Sequence, residues 1–196
     1  MMKYIFLSLF FCLKILSVQA QSISVEKFME LIPSLEKEDW KSAFEQSSKL
    51  LKNAPDDTSE FRARIIYINI FAAAGLVSEK KMSYPAITKL VNSYIGQKLI
   101  MAYHPYSNEA PLGFTSLKSN DTINEAFTSA SNALGTSIFC FEKFTVTDKI
   151  NLTDYAENEL IQCRGILTQF ETNPNKSTIW ILRLHIDKTS IEKDIE

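Results

Sequence analysis

Apolar positions recur at helical spacing through the first half of the chain and alternate through the second. Ser24 can cap a short helix with Val25, Phe28, Met29 and Ile32 along one side, and Pro33 ends or kinks it by removing a backbone donor. Trp40, Ala43, Phe44, Ser47, Leu50 and Leu51 then form a stripe on an otherwise charged helix that stops at Pro55. Asp57-Thr58-Ser59-Glu60 reads as a capping box, with Asp57 as the cap. The helix it starts runs to about Gly75, a residue suited to the left-handed position past a C-terminus. Its Ile65, Ile66, Ile68, Ile70 and Phe71 point in several directions, so this helix belongs at the buried centre of the group. A last helix starts at Ser83 with Pro85 in its first turn, carries Ile87, Leu90, Val91, Tyr94 and Ile95, and ends at Gly96.

Beyond Gly96 the period changes. Lys98 to Tyr103 reads as a strand stopped by His104-Pro105, and Leu112 to Leu117 as a second. Thr122-Ile123-Asn124-Glu125 repeats the capping-box pattern, followed by Ala126, Phe127, Ala130 and Leu134 at helical spacing, so a short helix closed by Gly135 is expected between strands. Ile138 to Phe141 and Phe144 to Thr147 are strongly β, with Glu142-Lys143 as a bulge between them. Leu160 to Glu171 is the next strand, and Asn173-Pro174-Asn175-Lys176 is a turn. After it Thr178, Trp180, Leu182, Leu184 and Ile186 give one apolar, core-facing side.

The expected fold class is α+β: N-terminal antiparallel helical hairpins packed on a C-terminal small antiparallel β-sheet or partly open barrel. Residues 21–96 form the helical region, 97–190 the β-rich region with one short helix, and 191–196 a charged tail that frays. Asp39-Trp40-Lys41-Ser42-Ala43-Phe44, leading to Leu50-Leu51 and Pro55-Asp56-Asp57, resembles the second helix of a tetratricopeptide repeat, covering about residues 36–75. The preceding helix departs from that family's pattern in holding Pro33, and the following unit lacks the matching Ala and Pro. What the resemblance implies is a scaffold that presents a surface to another protein.

The first twenty residues stand apart. Met1-Met2-Lys3 is a basic start, Tyr4 to Leu13 is apolar except for Ser8, and Val18-Gln19-Ala20 suits a signal peptidase. A cleaved secretory signal over 1–20 is expected, and with it export to the periplasm or the extracellular space. Lys14 interrupts the apolar stretch too early for a membrane span, and the bulky Phe10-Phe11 before Cys12 does not suit a lipid-attachment site. The full chain of 196 residues has 21 Lys+Arg against 23 Asp+Glu. Loss of 1–20 removes Lys3 and Lys14 and no acid, which leaves 19 basic and 23 acidic residues and a net charge of −4. That is no electrostatic footprint for nucleic acid.

Chemistry-bearing residues are sparse. Two His and three Cys leave little for a metal centre, and no phosphate loop, nucleophile elbow or His-Glu-x-x-His motif occurs, so neither metal nor cofactor is expected. Cys140 and Cys163 could pair as a disulfide in an oxidising compartment or stand as core thiols. A four-residue turn at 173–176 would set Arg164 opposite His185, beside Cys163. Glu36, Glu38 and Asp39, and again Asp56 and Asp57, flank helix starts, where acids cap amides. Phe114, Phe170 and Trp180 are possible groove aromatics, with Trp180 assigned to the core; the first place to seek a ligand is Tyr103, His104 and Tyr106, with both tyrosines exposed beside the turn. Asn120, Asn151 and Asn175 head Asn-x-Ser/Thr triplets in loops, which matter only in a eukaryotic source. The reading is an exported non-catalytic binding protein, with another protein as partner and a saccharide or peptide as potential ligand. The alternative is a small exported hydrolase or carbohydrate-active protein with its site in the β-rich half.

Overall fold

The computed structural model describes residues 22–55, 57–175 and 180–194. The expected signal over 1–20 with Cys12, the acid Asp56, and Lys176 and Thr178 of the final turn and strand lie outside the described residues.

Among the described residues four of the five α-helices begin where a short polar side chain caps them. Ser24 accepts from the Lys27 amide to start α1 (Val25–Met29), and Pro33 sits in the first turn of α2 (Ile32–Glu36), where its missing N–H costs nothing. Asp39 caps α3 (Trp40–Asn53) through the Ser42 amide. Ser59, not Asp57, caps α4 (Glu60–Ser78). Asp57 instead accepts from the amides of Ile23 (2.8 Å) and Ser59 (2.7 Å), tying the start of the described chain to the α3–α4 connection. Ser83 caps α5 (Tyr84–Asn92), and Gly96 beyond it takes a φ of 83°.

Gly75 lies inside α4 rather than past its end. A Cβ there would stand 2.5 Å from Cγ and Cδ2 of Trp40, so the glycine is required by close approach to the indole and not by left-handed backbone. Contacts of Trp40 with Gly75 and of Arg62 with the carbonyls of Leu51 and Ala54 show that α3 and α4 run antiparallel. Between those ends Asn69, fully buried on α4, donates to the Ser47 and Ser48 hydroxyls (2.8 Å each) and accepts from Tyr94 (2.8 Å). One amide therefore serves α3, α4 and the segment after α5. By length and apolarity α4 would suffice to cross a membrane, but 67% of its most apolar stretch is buried, as in a core helix.

The strands are β1 (Lys98–Ile100), β2 (His104–Pro105), β3 (Ser116–Ser119), β4 (Asn124–Ser131), β5 (Ile138–Val146), β6 (Leu160–Thr172) and β7 (Trp180–Lys193). They form one seven-stranded sheet in the order β1-β6-β7-β5-β4-β3, with β2 also on β6. The fold is thus α+β, but the sheet is open rather than a barrel, and mixed rather than antiparallel because β5 and β7 run parallel. It is strongly curled. Tyr106, next to β2 at one end, bridges Thr115, next to β3 at the other, through Ser107 N to Thr115 O and Thr115 N to Pro105 O (2.9 Å each).

Two irregularities shape the curl. Gly165 on β6 faces a bulge on β7 in which Lys188 has φ 52°, and a Cβ there would lie 2.7 Å from the Asp187 carbonyl. The β4–β5 register shifts at Ala130/Ser131, which leaves Phe139 without an opposite residue and lets it turn into the core against Trp40 (5.0 Å between centroids).

Several expectations are corrected. The helix after Thr122 is strand β4: Asn120 accepts from the amides of Thr122 and Ile123, an Asx turn that tightens a β3–β4 hairpin, and Gly135 turns the chain between strands. β5 is continuous, with its irregularity at Phe139 and not at Glu142-Lys143. The last strand runs to Lys193, pairing with Ile161, so Ile191 to Lys193 of the expected tail are sheet. His104-Pro105, read as a stop, pairs with Ile161 and Leu160.

Candidate functional site

A cleft of about 620 Å³ opens between the helices and one end of the curled sheet. Phe28 of α1 and Ile32 and Leu35 of α2 form one wall; Arg64, Tyr67, Ile68 and Phe71 of α4 form the back. The opposite wall comes from Ile100, Ala102 and His104 around β1 and β2, and from Ser129 to Ala133 at the end of β4. This volume and this apolar lining with a few polar groups are those of small-molecule sites. Glu38, at φ 53°, accepts from the Ala133 amide and fixes the β4–β5 turn against the α2–α3 connection, which closes one side.

His104 is the member of the expected trio that lines the cleft. Its Nδ1 lies 3.0 Å from the Gly113 carbonyl, an acceptor, so Nδ1 carries the proton and Nε2 is left as an acceptor. Burial holds its pKa below the usual value, against the raising effect of that carbonyl. Gly113 in turn donates to the Ser129 hydroxyl (3.1 Å), pinning the 106–115 loop to β4. Tyr103 is exposed as expected, but Tyr106 is 1% exposed, packs on Tyr155 and donates to Asn108. The three do not converge.

Behind Tyr67 lies a buried polar pair absent from the sequence reading. The Tyr67 hydroxyl donates to Oε1 of Glu142 at 2.9 Å, and Glu142 is 2% exposed. Burial pushes the Glu142 carboxyl well above the usual range, more than the Tyr67 bond lowers it, which favours the protonated form. Its Oε2 and the hydroxyl of Thr128, its cross-strand partner, have no hydrogen-bond partner among the described residues. Two such groups in register can satisfy each other or a shared water. Position parity carried the signal: Glu142 falls in step with Ile138, Cys140, Phe144 and Val146, all buried.

Cys140 and Cys163 are buried free thiols. Strand β7 runs between their strands, and two sheet spacings, about 9–10 Å, exceed the reach of a disulfide. Burial raises both thiols, Cys163 to about 12, with the nearby Glu142 adding to the effect. They are core residues rather than nucleophiles.

On the other face of the sheet a groove of about 320 Å³ is lined by Phe127, Phe141, Lys143, Glu171, Arg183 and His185. His185 Nε2 is 3.3 Å from Glu171 Oε1. Bulges shift the register from the simple count: His185 pairs with Gln169, and Arg164 with Ser190. Trp180 is half-buried rather than core, with the Arg183 guanidinium 4.4 Å over its ring. Phe170 is partly buried against the core, and Phe114 is half-buried in the loop before β3.

The acids flanking helix starts serve the fold as described for Glu38, Asp39 and Asp57, while Glu36 is exposed at the end of α2. Asn120, Asn151 and Asn175 are exposed outside the strands. Among the described residues no group of three or more His, Cys, Asp or Glu side chains could hold a metal ion. No family model, curated protein or solved structure matches the chain.

Proposed function

We propose that this chain is an exported, non-catalytic binding protein whose ligand occupies the cleft between α4 and the open end of the sheet. The observation that carries the reading is the cleft itself: about 620 Å³, walled by Phe28, Leu35, Ile68, Phe71 and Ile100, with His104 and Arg64 as its polar accents. In this reading the helical hairpins form a lid on the sheet and also offer the protein-contact surface implied by the tetratricopeptide-like segment; Val25 and Met29, more than half exposed on α1, lie on that outer side. The test is binding of a neutral apolar fluorophore such as N-phenyl-1-naphthylamine. Saturable binding that is lost in Ala102→Phe, a substitution on an exposed wall residue, and in Ala130→Phe supports the reading. Failure of the wild type to bind refutes it.

One observation favours a second reading, a small hydrolase: the His185–Glu171 pair in the outer groove has the form of a general base held by a carboxylate. The groove supplies no cysteine or serine nucleophile beside it, so the pair would have to activate water. Hydrolysis of ester or glycoside substrates abolished by His185→Ala would replace the binding reading with this one.

A further inference from the structure

We propose that the ligand of this cleft is a single-chain amphiphile ending in a carboxylate, with its head on Arg64 and its chain along α4; this rests on the cleft being the binding site. Arg64 is the one formally charged side chain among the residues lining the cleft. It lies on the same helical face as Ile68 and Phe71, at i, i+4 and i+7. That face places the cation at one end of an apolar track about 10 Å long. Leu35 and Phe28 cover the track from the other side.

The arginine is available to a ligand because its nearest acid is already engaged. Glu60 lies 3.9 Å from Arg64, while its other oxygen binds Arg164 at 2.6 Å. Arg164 also binds Glu192, and both arginines share Oε1 of Gln162, at 3.2 and 3.3 Å. Arg64 therefore has no carboxylate within hydrogen-bond distance among the described residues, and its side chain is 25% exposed. A planar guanidinium with open donors matches a carboxylate in two parallel bonds. Among the described residues lining the cleft Arg64 is the one cation, and Glu60 stands beside it, so a singly charged head fits better than a dianionic phosphate.

The test is displacement of N-phenyl-1-naphthylamine by dodecanoate and by dodecanol, both below their aggregation limits. The wild type should bind dodecanoate roughly tenfold or more tightly than the alcohol, as a charge-assisted pair implies. Arg64→Gln should erase that preference by weakening dodecanoate binding far more than dodecanol binding, and Arg64→Lys should keep part of it. Should Arg64→Gln fold poorly, the wild-type preference is read against salt, where it should shrink as ionic strength rises. Equal affinity for acid and alcohol, or a preference that survives Arg64→Gln or ignores salt, overturns the proposal. Binding of the neutral probe without that preference leaves the cleft reading standing, whereas no probe binding removes the reading itself.

Discussion

The Tyr67 hydroxyl on α4 donates 2.9 Å to the carboxyl of Glu142 on β5, joining the central helix to the sheet through a buried carboxyl whose pKa burial raises. Because the folded-state pKa of Glu142 is raised, its contribution is complete below the unfolded value of 4.5 and is lost as pH rises through the folded value. The slope for one proton is at most about 1.4 kcal/mol per pH unit. Glu142→Gln removes it. Melting temperatures should therefore move in the variant's favour as pH climbs above 4.5, and a constant difference between the two proteins across pH would show that the carboxyl is not buried as an acid.

His104 acts in the opposite direction. Burial depresses its pKa below 6.5, so the stability present above that value falls as pH drops through the folded pKa. His104→Gln, which keeps a donor for the Gly113 carbonyl, should flatten the loss expected in thermal melts of the wild type as pH falls below 6.5.

Gly75→Ala should destabilise the fold by about 1–3 kcal/mol, because a methyl group at 2.5 Å from a buried indole must displace it, and Trp40 is itself held by Phe71 and Phe139. Denaturant unfolding measures this directly. An alanine that stabilises, as it would in an open helix, would show that the helices do not meet here.

With residues 1–20 absent, the folded protein should show no thiol reactive to a disulfide reagent, and two once denatured without reductant, since Cys140 and Cys163 are buried and unbridged. Two fewer thiols after denaturation would mean that the sheet is arranged differently.

How much of this was legible in the sequence varied with the physics of each signal. Helix starts were readable because Ser24, Asp39 and Ser83 act within one turn of chain. The β6–β7 hairpin was readable from its alternation, but its register was not: the bulges at Lys188 and Thr168 exist because of what lies across the sheet. Asn124 to Ser131 misled because Ala126, Phe127 and Ala130 fit a helical period, and the Asx turn at Asn120 mimics a cap. The parallel β5–β7 pairing and the curl that joins Tyr106 to Thr115 are long-range properties with no local mark. Of the candidate site only His104 was anticipated, since the cleft is assembled from α1, α2, α4 and β4, which are distant in sequence.

The most direct test of the binding account is a methyl NMR titration of the folded protein with the neutral probe N-phenyl-1-naphthylamine. The account predicts saturable shifts at Ile68, Ile100 and Ala130 in the cleft. Shifts confined to Leu184 in the outer groove, or none at all, would contradict it.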